Sequence, residues 1–483
     1  MLFSALAQPS AAVALEVDGQ SLTWAQLSSA CRHHASTLKS LGISPGSHVG
    51  VWTQNRLETL VACVANAAVG MVTVPVDPKL GPLELGHIIN DAKPVVMFAG
   101  DASAVADKQL SVKTVPFVIA ESALDLAWRA VDAQPLLILY TSGTTGLPKG
   151  AVISAQNVAS NLDALGDAWR WTGQDTVVHA LPMFHVHGLV LGLFGSMRRG
   201  GALRWVPKFS AESVSTALST GQTMLFAVPT MYHRLAEAAE RSAEVRAGLK
   251  HARLLVSGSA ALPNRDQLRI EELTGRKVLE RYGLTETLIN CALRDAGVHV
   301  VGSVGAPLNG VEVRLVDDAR QPLESQHDET IGEIAIRGPN VFSGYLNRPE
   351  ATAAVIDSAG WFYTGDLACI RSDGLVRIVG RRATDLIKCG GYKVGAGEVE
   401  AALLEHSQVS EAAVLGAPDA DLGEQIVAFV VTRGPVSAAD LENHVAQLLS
   451  PHKRPRQVHF VTELPRNATA TDSPIRLPCW RPA

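Results

Sequence analysis

Between residue 48 and about residue 290, short apolar segments alternate with stretches of helical length. That alternation constrains the fold more than any other feature. Apolar runs fall at 48–52, 71–74 and 94–98, with helix-type patterns at 56–69 and 82–91 between them. Strands separated by helices build a mostly parallel, doubly wound sheet. The pattern pauses over the irregular stretch 99–133 and resumes with an apolar strand at 136–140. It continues through a helix near 155–168 and a strand near 175–181. The chain opens with a hairpin around Asp18-Gly19, followed by Thr23 and Gln26 spaced as a helix capping box. From 297 to 380 the texture becomes β-rich, with short segments at 311–315, 331–337 and 375–379. After Gly380 a separate rhythm of strands and helices begins. The expected class is α/β: a large N-terminal domain over 1–380, made of doubly wound sheets plus a β-rich subdomain, and a small mobile α+β domain over 381–483.

Composition excludes several functions. The 483 residues are 47% apolar and 18% charged, so wholesale disorder is excluded. Lys and Arg number 42 against 47 Asp and Glu, and a net charge of −5 argues against a nucleic-acid partner. Six cysteines (Cys31, Cys63, Cys291, Cys369, Cys389 and Cys479) form no C-x-x-C pair, so neither a zinc site nor disulfides are expected. The stretch 181–197 is apolar but too short and too interrupted to span a bilayer. A cytoplasmic protein is the expectation.

The densest chemistry lies at 141–150, TSGTTGLPKG, directly after the 136–140 strand. Hydroxyls of Thr141, Ser142, Thr144 and Thr145 alternate with Gly143 and Gly146, and Lys149 follows. Glycine-freed amides, hydroxyls and one ammonium suit a polyphosphate. Gly150 after the lysine rules out a Walker A loop, which needs Ser or Thr there.

With this loop the chain resembles the adenylate-forming superfamily of acyl-CoA synthetases, luciferases and adenylation domains. Further motifs occur in that family's order: LPMFHVHGL (181–189), SGSAAL (257–262), ERYGLTET (280–287), GEIAIRGPNVFSGYLN (332–347), WFYTGDLA (361–368) and GRRATDLIKCGGYKVGAGEVE (380–400). The resemblance implies ATP, Mg²⁺ and coenzyme A, and two half-reactions. A carboxylate attacks the α-phosphorus of ATP and releases pyrophosphate; a thiol then displaces AMP. It gives catalytic parts to Lys149, Thr285, Glu286 and His185, with Glu286 as the Mg²⁺ ligand. Tyr282, Gly283, Thr285, Asp366 and Arg381 line the nucleotide site. Tyr282 offers a stacking face for adenine, and Asp366 accepts the ribose hydroxyls. Gly390 and Gly391 shape the thiol path after rotation about a hinge near 381–385.

The acyl pocket falls to His185, Ser259, Arg234 and Arg281. An arginine in such a wall can hold a second carboxylate bidentately. The local wording is very similar to malonyl-CoA and methylmalonyl-CoA synthetases, so malonate or methylmalonate is the expected substrate. A short-chain or fatty acyl-CoA ligase is the alternative. His185 and His187, spaced as H-x-H on a strand, would face one side, but no third ligand suggests a metal.

The resemblance ends after 464–467. The family continues with a Gly-Lys motif whose lysine bridges carboxylate and phosphate during adenylation. Here the last residues read ATATDSPIRLPCWRPA, and the final lysine of the chain is Lys453. A nucleotide- or CoA-binding remnant with impaired adenylation is therefore an alternative of another class.

Overall fold

The computed structural model describes residues 1–106, 110–141, 148–323, 330–381, 386–389, 392–419 and 422–464. It is an α/β protein with a large N-terminal domain and a small C-terminal one. Two large sheets dominate. The first has nine strands, in the order Ala306–Pro307, Leu288–Ala292, Val278–Leu284, Leu254–Ser257, Gln222–Ala227, Asp175–His179, Ala202–Trp205, Val13–Val17 and Gln20–Thr23. From Val278–Leu284 through Val13–Val17 the pairs are parallel. The second has seven strands: Gly344–Tyr345, Lys149–Ser154, Pro135–Thr141, Val72–Val76, His48–Trp52, Val96–Ala99 and Thr114–Pro116. Parallel strands covered by helices on both faces read as continuous apolar runs, and every residue of Val72–Val76 is buried.

The early elements form for local reasons. Thr23 and Gln26 make the expected reciprocal capping box at the start of the helix Trp24–Ser40. The helices Leu57–Ala68 and Pro82–Ala92 match the patterns at 56–69 and 82–91. The β-rich stretch is a four-stranded antiparallel sheet of Glu312–Val316, Gly332–Arg337, Phe362–Ile370 and Val376–Arg381. It delivers Asp366 and Arg381 opposite each other on adjacent strands.

Residues between Ile387 and Val445 close a separate apolar core around the helix Ala396–Leu404 and the strands Val409–Asp419 and Gly423–Thr432. This small domain docks through Arg265, whose Nη1 donates to the carbonyls of Leu404 (2.8 Å) and Val409 (3.2 Å). A guanidinium at the end of a helix satisfies carbonyls that no helical N–H reaches.

One expected element is corrected. The histidines at 185 and 187 do not lie on a strand. That strand ends at His179, and His187 opens a wide helical segment, His187–Phe194. No helix among the described residues is long and apolar enough to cross a membrane. The described cysteines Cys31, Cys63, Cys291, Cys369 and Cys389 are all buried.

Candidate active site

The residues expected at the phosphates come from both large sheets. Thr141 ends one strand and Lys149 begins the next, and the two strands pair as Thr141↔Lys149. Ser142, Gly143, Thr144, Thr145 and Gly146 lie outside the described residues. The Lys149 ammonium sits 4.7 Å from the centroid of the Tyr345 ring. From the other sheet, the turn after Val278–Leu284 presents Thr285, which is half-buried, and Glu286, which is buried. The Tyr345 hydroxyl donates to Glu286 Oε1 at 2.7 Å, and Phe342 N donates to the Glu286 carbonyl at 2.8 Å. Lys149 and Glu286 therefore flank a single tyrosine side chain.

Gly283 is needed where this turn begins. A Cβ there would collide with the Leu288 carbonyl across the strand pair.

Among the described residues no group of three or more His, Cys, Asp or Glu side chains could hold a metal ion. One carboxylate fits Mg²⁺ only when phosphate oxygens and waters complete the octahedron, which is how Mg²⁺ is usually held beside nucleotides.

The residues expected at the nucleoside form a short relay. Tyr282 donates its hydroxyl to Asp366 Oδ2 at 2.6 Å, and Arg381 Nε lies 3.3 Å from Asp366 Oδ1. Burial and the Asp366 charge hold the Tyr282 phenol protonated, well above its ordinary range. Tyr282 is itself buried, so its hydroxyl, not an open face, is what it offers in this arrangement. The Asp366 carboxylate thus accepts from a phenol on one oxygen and faces a guanidinium on the other. Gly390 and Gly391 lie outside the described residues.

Beside this relay is a buried cation. Arg281 precedes Tyr282 on the same strand and is 5% exposed. Its Nε and Nη2 find no hydrogen-bond partner among the described residues, nor do Nε2 of His179 and of His187. Burial lowers the Arg281 pKa only to about 10, so it stays charged at neutral pH. The imidazoles of His179 and His187 are pushed down by burial, with the Arg281 charge adding to it, and are neutral. Gly258 leaves room for the guanidinium, which a Cβ there would strike. Ser259 sits in the left-handed region at φ 73° and places Oγ 3.3 Å from His187 Nδ1. A buried polar group without a partner costs about 1–3 kcal/mol, and a charged one more. Such a group calls for a partner that the protein itself does not supply, a bound ligand, ion or ordered water.

The remaining acyl-pocket candidates are less enclosed. Arg234 lies exposed on the helix Pro229–Arg241. His185 is half-buried, lies with its ring centroid 4.5 Å from that of Phe184 in a tilted arrangement, and has its pKa lowered by burial. Sequence reasoning passed over Tyr345, His187 and Glu280 as site residues, although all three stand inside the quoted motifs.

Glu280 anchors the loop that carries Ser259 by accepting from Leu262 N at 3.1 Å. Burial raises its pKa from 4.5 to about 7. The folded state thus favours the neutral acid, while the unfolded chain ionises near 4.5. Stability is complete below that value and falls as pH rises toward 7, by about 3 kcal/mol in all. Glu280→Gln cannot ionise. Denaturant melts from pH 5 to 8 are expected to give it a flatter stability profile than the parent. Parallel profiles would contradict this.

Residues 2–346 match the AMP-binding enzyme family model, and residues 398–471 match the AMP-binding enzyme C-terminal domain. A mitochondrial malonate–CoA ligase of Bos taurus is 35% identical over 468 residues, covering 87% of this chain and 79% of that protein. Among solved structures, a malonyl-CoA ligase in a ternary product complex with methylmalonyl-CoA and AMP is 49% identical. It covers 95% of this chain and 97% of its own, with a TM-score of 0.72. ATP-bound MatB from Rhodopseudomonas palustris is 34% identical, covering 97% of this chain and 95% of its own, with a TM-score of 0.85.

Proposed function

The chain belongs to the AMP-binding enzyme family, and from that premise we propose that it is an ATP-dependent carboxylate–CoA ligase acting on malonate or methylmalonate. One observation carries the choice of acid. A single strand and its turn hold the unpaired buried Arg281, then Tyr282, then Glu286. A diacid with a three-carbon backbone can lay one carboxylate on Arg281 and direct the other toward the phosphate side.

The chemistry requires an anion to attack a polyanion, so opposing charge must be in place beforehand. Lys149 and the loop 141–147 hold the phosphates, and Asp366 with Arg381 holds the ribose. Thr285 stands where it can donate to the α-phosphate. Mg²⁺, when bound at Glu286, neutralises the developing charge on the phosphate oxygens. The carboxylate oxygen forms the new bond to the α-phosphorus as the bond to pyrophosphate breaks. The thiolate sulfur of coenzyme A then attacks the acyl carbon and AMP leaves. His185 borders the acyl group with a ring whose pKa burial lowers. We divide the chain after Gly380, with 381–483 as the mobile part carrying Gly390 and Gly391 to the thiol path, and we place the enzyme in the cytoplasm.

The test is a panel of malonate, methylmalonate, succinate, acetate and octanoate, followed by CoA consumption and AMP release. Malonate or methylmalonate is expected to lead by tenfold or more in kcat/KM. Equal use of acetate or octanoate would overturn the diacid assignment. Arg234→Ala in the same panel separates the exposed arginine from the buried one, and only a modest loss is expected.

A second reading is favoured by the lysine-free ATATDSPIRLPCWRPA, which lies outside the described residues. Loss of one preorganised donor costs roughly 10²–10³ in rate. In single turnover, supplied malonyl-AMP would then pass to CoA far faster than malonate and ATP form it. Equal rates for the two steps would dismiss this reading.

A further inference from the structure

We propose that Tyr345 is a positioning residue that holds the Glu286 carboxylate for the metal and the Lys149 ammonium for the phosphates. The proposal rests on the ligase assignment above.

The geometry is that of a bridge. Lys149 and Glu286 come from different sheets, and Tyr345 touches both, with the ring facing the ammonium and the hydroxyl on the carboxylate. Tyr345 is fastened to the lysine side. The strand Gly344–Tyr345 pairs with Lys149–Ser154, placing Tyr345 opposite Ala151, and Leu346 N donates to the Gly150 carbonyl at 2.8 Å. It is oriented from the glutamate side as well. Phe342, which bonds the Glu286 backbone, packs edge-on against the Tyr345 ring at 4.9 Å.

The hydroxyl occupies Oε1 only in part and fixes the plane of the carboxylate, so the remaining lone pairs point in one direction before any ion arrives. Hydrogen bonds to a ligating carboxylate commonly tune metal affinity by 10–100-fold. The ring holds the ammonium by a cation–π contact inside the usual 6 Å limit. One side chain thereby sets the spacing between the Lys149 ammonium and the Glu286 carboxylate.

Two substitutions separate these parts. Tyr345→Phe keeps the ring and loses the donor. It is expected to raise the Mg²⁺ concentration for half-maximal pyrophosphate release about tenfold. It should also weaken Mn²⁺ binding to the enzyme–ATP complex, read by electron paramagnetic resonance, while kcat at saturating Mg²⁺ stays within a few-fold. Tyr345→Leu loses the ring too and should add a rise in KM for ATP.

The control is Glu286→Gln. If it shifts Mg²⁺ dependence and a folded Tyr345→Phe does not, the positioning role is wrong. If Glu286→Gln itself leaves Mg²⁺ dependence unmoved, the underlying assignment fails instead. Should Tyr345→Phe not fold, Phe342→Leu decides. It loosens the ring without removing the hydroxyl, and it must move Mg²⁺ dependence in the same direction by less; no movement overturns the proposal.

Discussion

Arg281→Met is expected to melt at a higher temperature than the parent and yet to lose most of its activity on malonate. Both effects have one cause. The guanidinium is buried and charged, and two of its nitrogens lack partners among the described residues. Removing it relieves an uncompensated desolvation cost of about 1–3 kcal/mol or more. Methionine retains the aliphatic length and packs against Gly258 without a charge. With malonate bound, the same guanidinium has its counter-charge. Truncating one partner of a buried, hydrogen-bonded charge pair costs about 2–5 kcal/mol, roughly 30- to several-thousand-fold in affinity. Acetate has no second carboxylate to lose, so its kcat/KM should change only a few-fold. Thermal melts and kcat/KM for the two acids check the prediction. A variant that is less stable, or that loses acetate and malonate equally, would show that Arg281 serves the fold.

Much of the architecture is legible where it is encoded locally. The capping box at Thr23 and Gln26 is two residue types at one spacing, and it forms as written. The expected strand at 71–74 forms as Val72–Val76, with every residue buried. The segment 185–194 is harder. A short apolar run with two glycines fits a strand or a buried helix, and periodicity alone does not separate them. The structure makes it helical from His187 onward.

The site follows the same division. Tyr282, Glu286 and Asp366 stand in recognisable motifs, and the Tyr282–Asp366 bond brings two of them together. Which arginine is buried was not legible. Arg234 sits on a helix whose other face is apolar and projects outward; Arg281 sits on an inner strand of the nine-stranded sheet, opposite Ala292 of an antiparallel neighbour. Local sequence does not encode the burial of a cation, because the pocket that encloses it comes from residues far away in the chain. Tyr345 was hidden for that reason too. Its two-residue strand is defined only by pairing with residues 149–154, almost two hundred positions earlier.

Glu286→Gln is expected to lower acid-dependent pyrophosphate release by about 10²–10³-fold, the usual cost of removing one preorganised electrostatic group. The amide keeps the size of the side chain, and its oxygen can still accept from the Tyr345 hydroxyl, so the fold should be unaffected. It carries no charge and is a poor ligand for a hard cation. The loss should therefore deepen as Mg²⁺ is lowered. Thioester formation from supplied malonyl-AMP, which needs no triphosphate, should be much less impaired. Pre-steady-state measurement of the two half-reactions distinguishes them. Equal losses in both would mean that Glu286 supports the turn and not the triphosphate.

The most direct test follows one oxygen atom. If Lys149, Glu286 and Asp366 hold ATP so that the acid reaches its innermost phosphorus, malonate labelled with ¹⁸O in its carboxylates must pass one labelled oxygen to AMP and none to pyrophosphate. Mass spectrometry of the nucleotide after turnover with CoA reads this outcome. Unlabelled AMP, or label in inorganic phosphate beside ADP, would contradict the account.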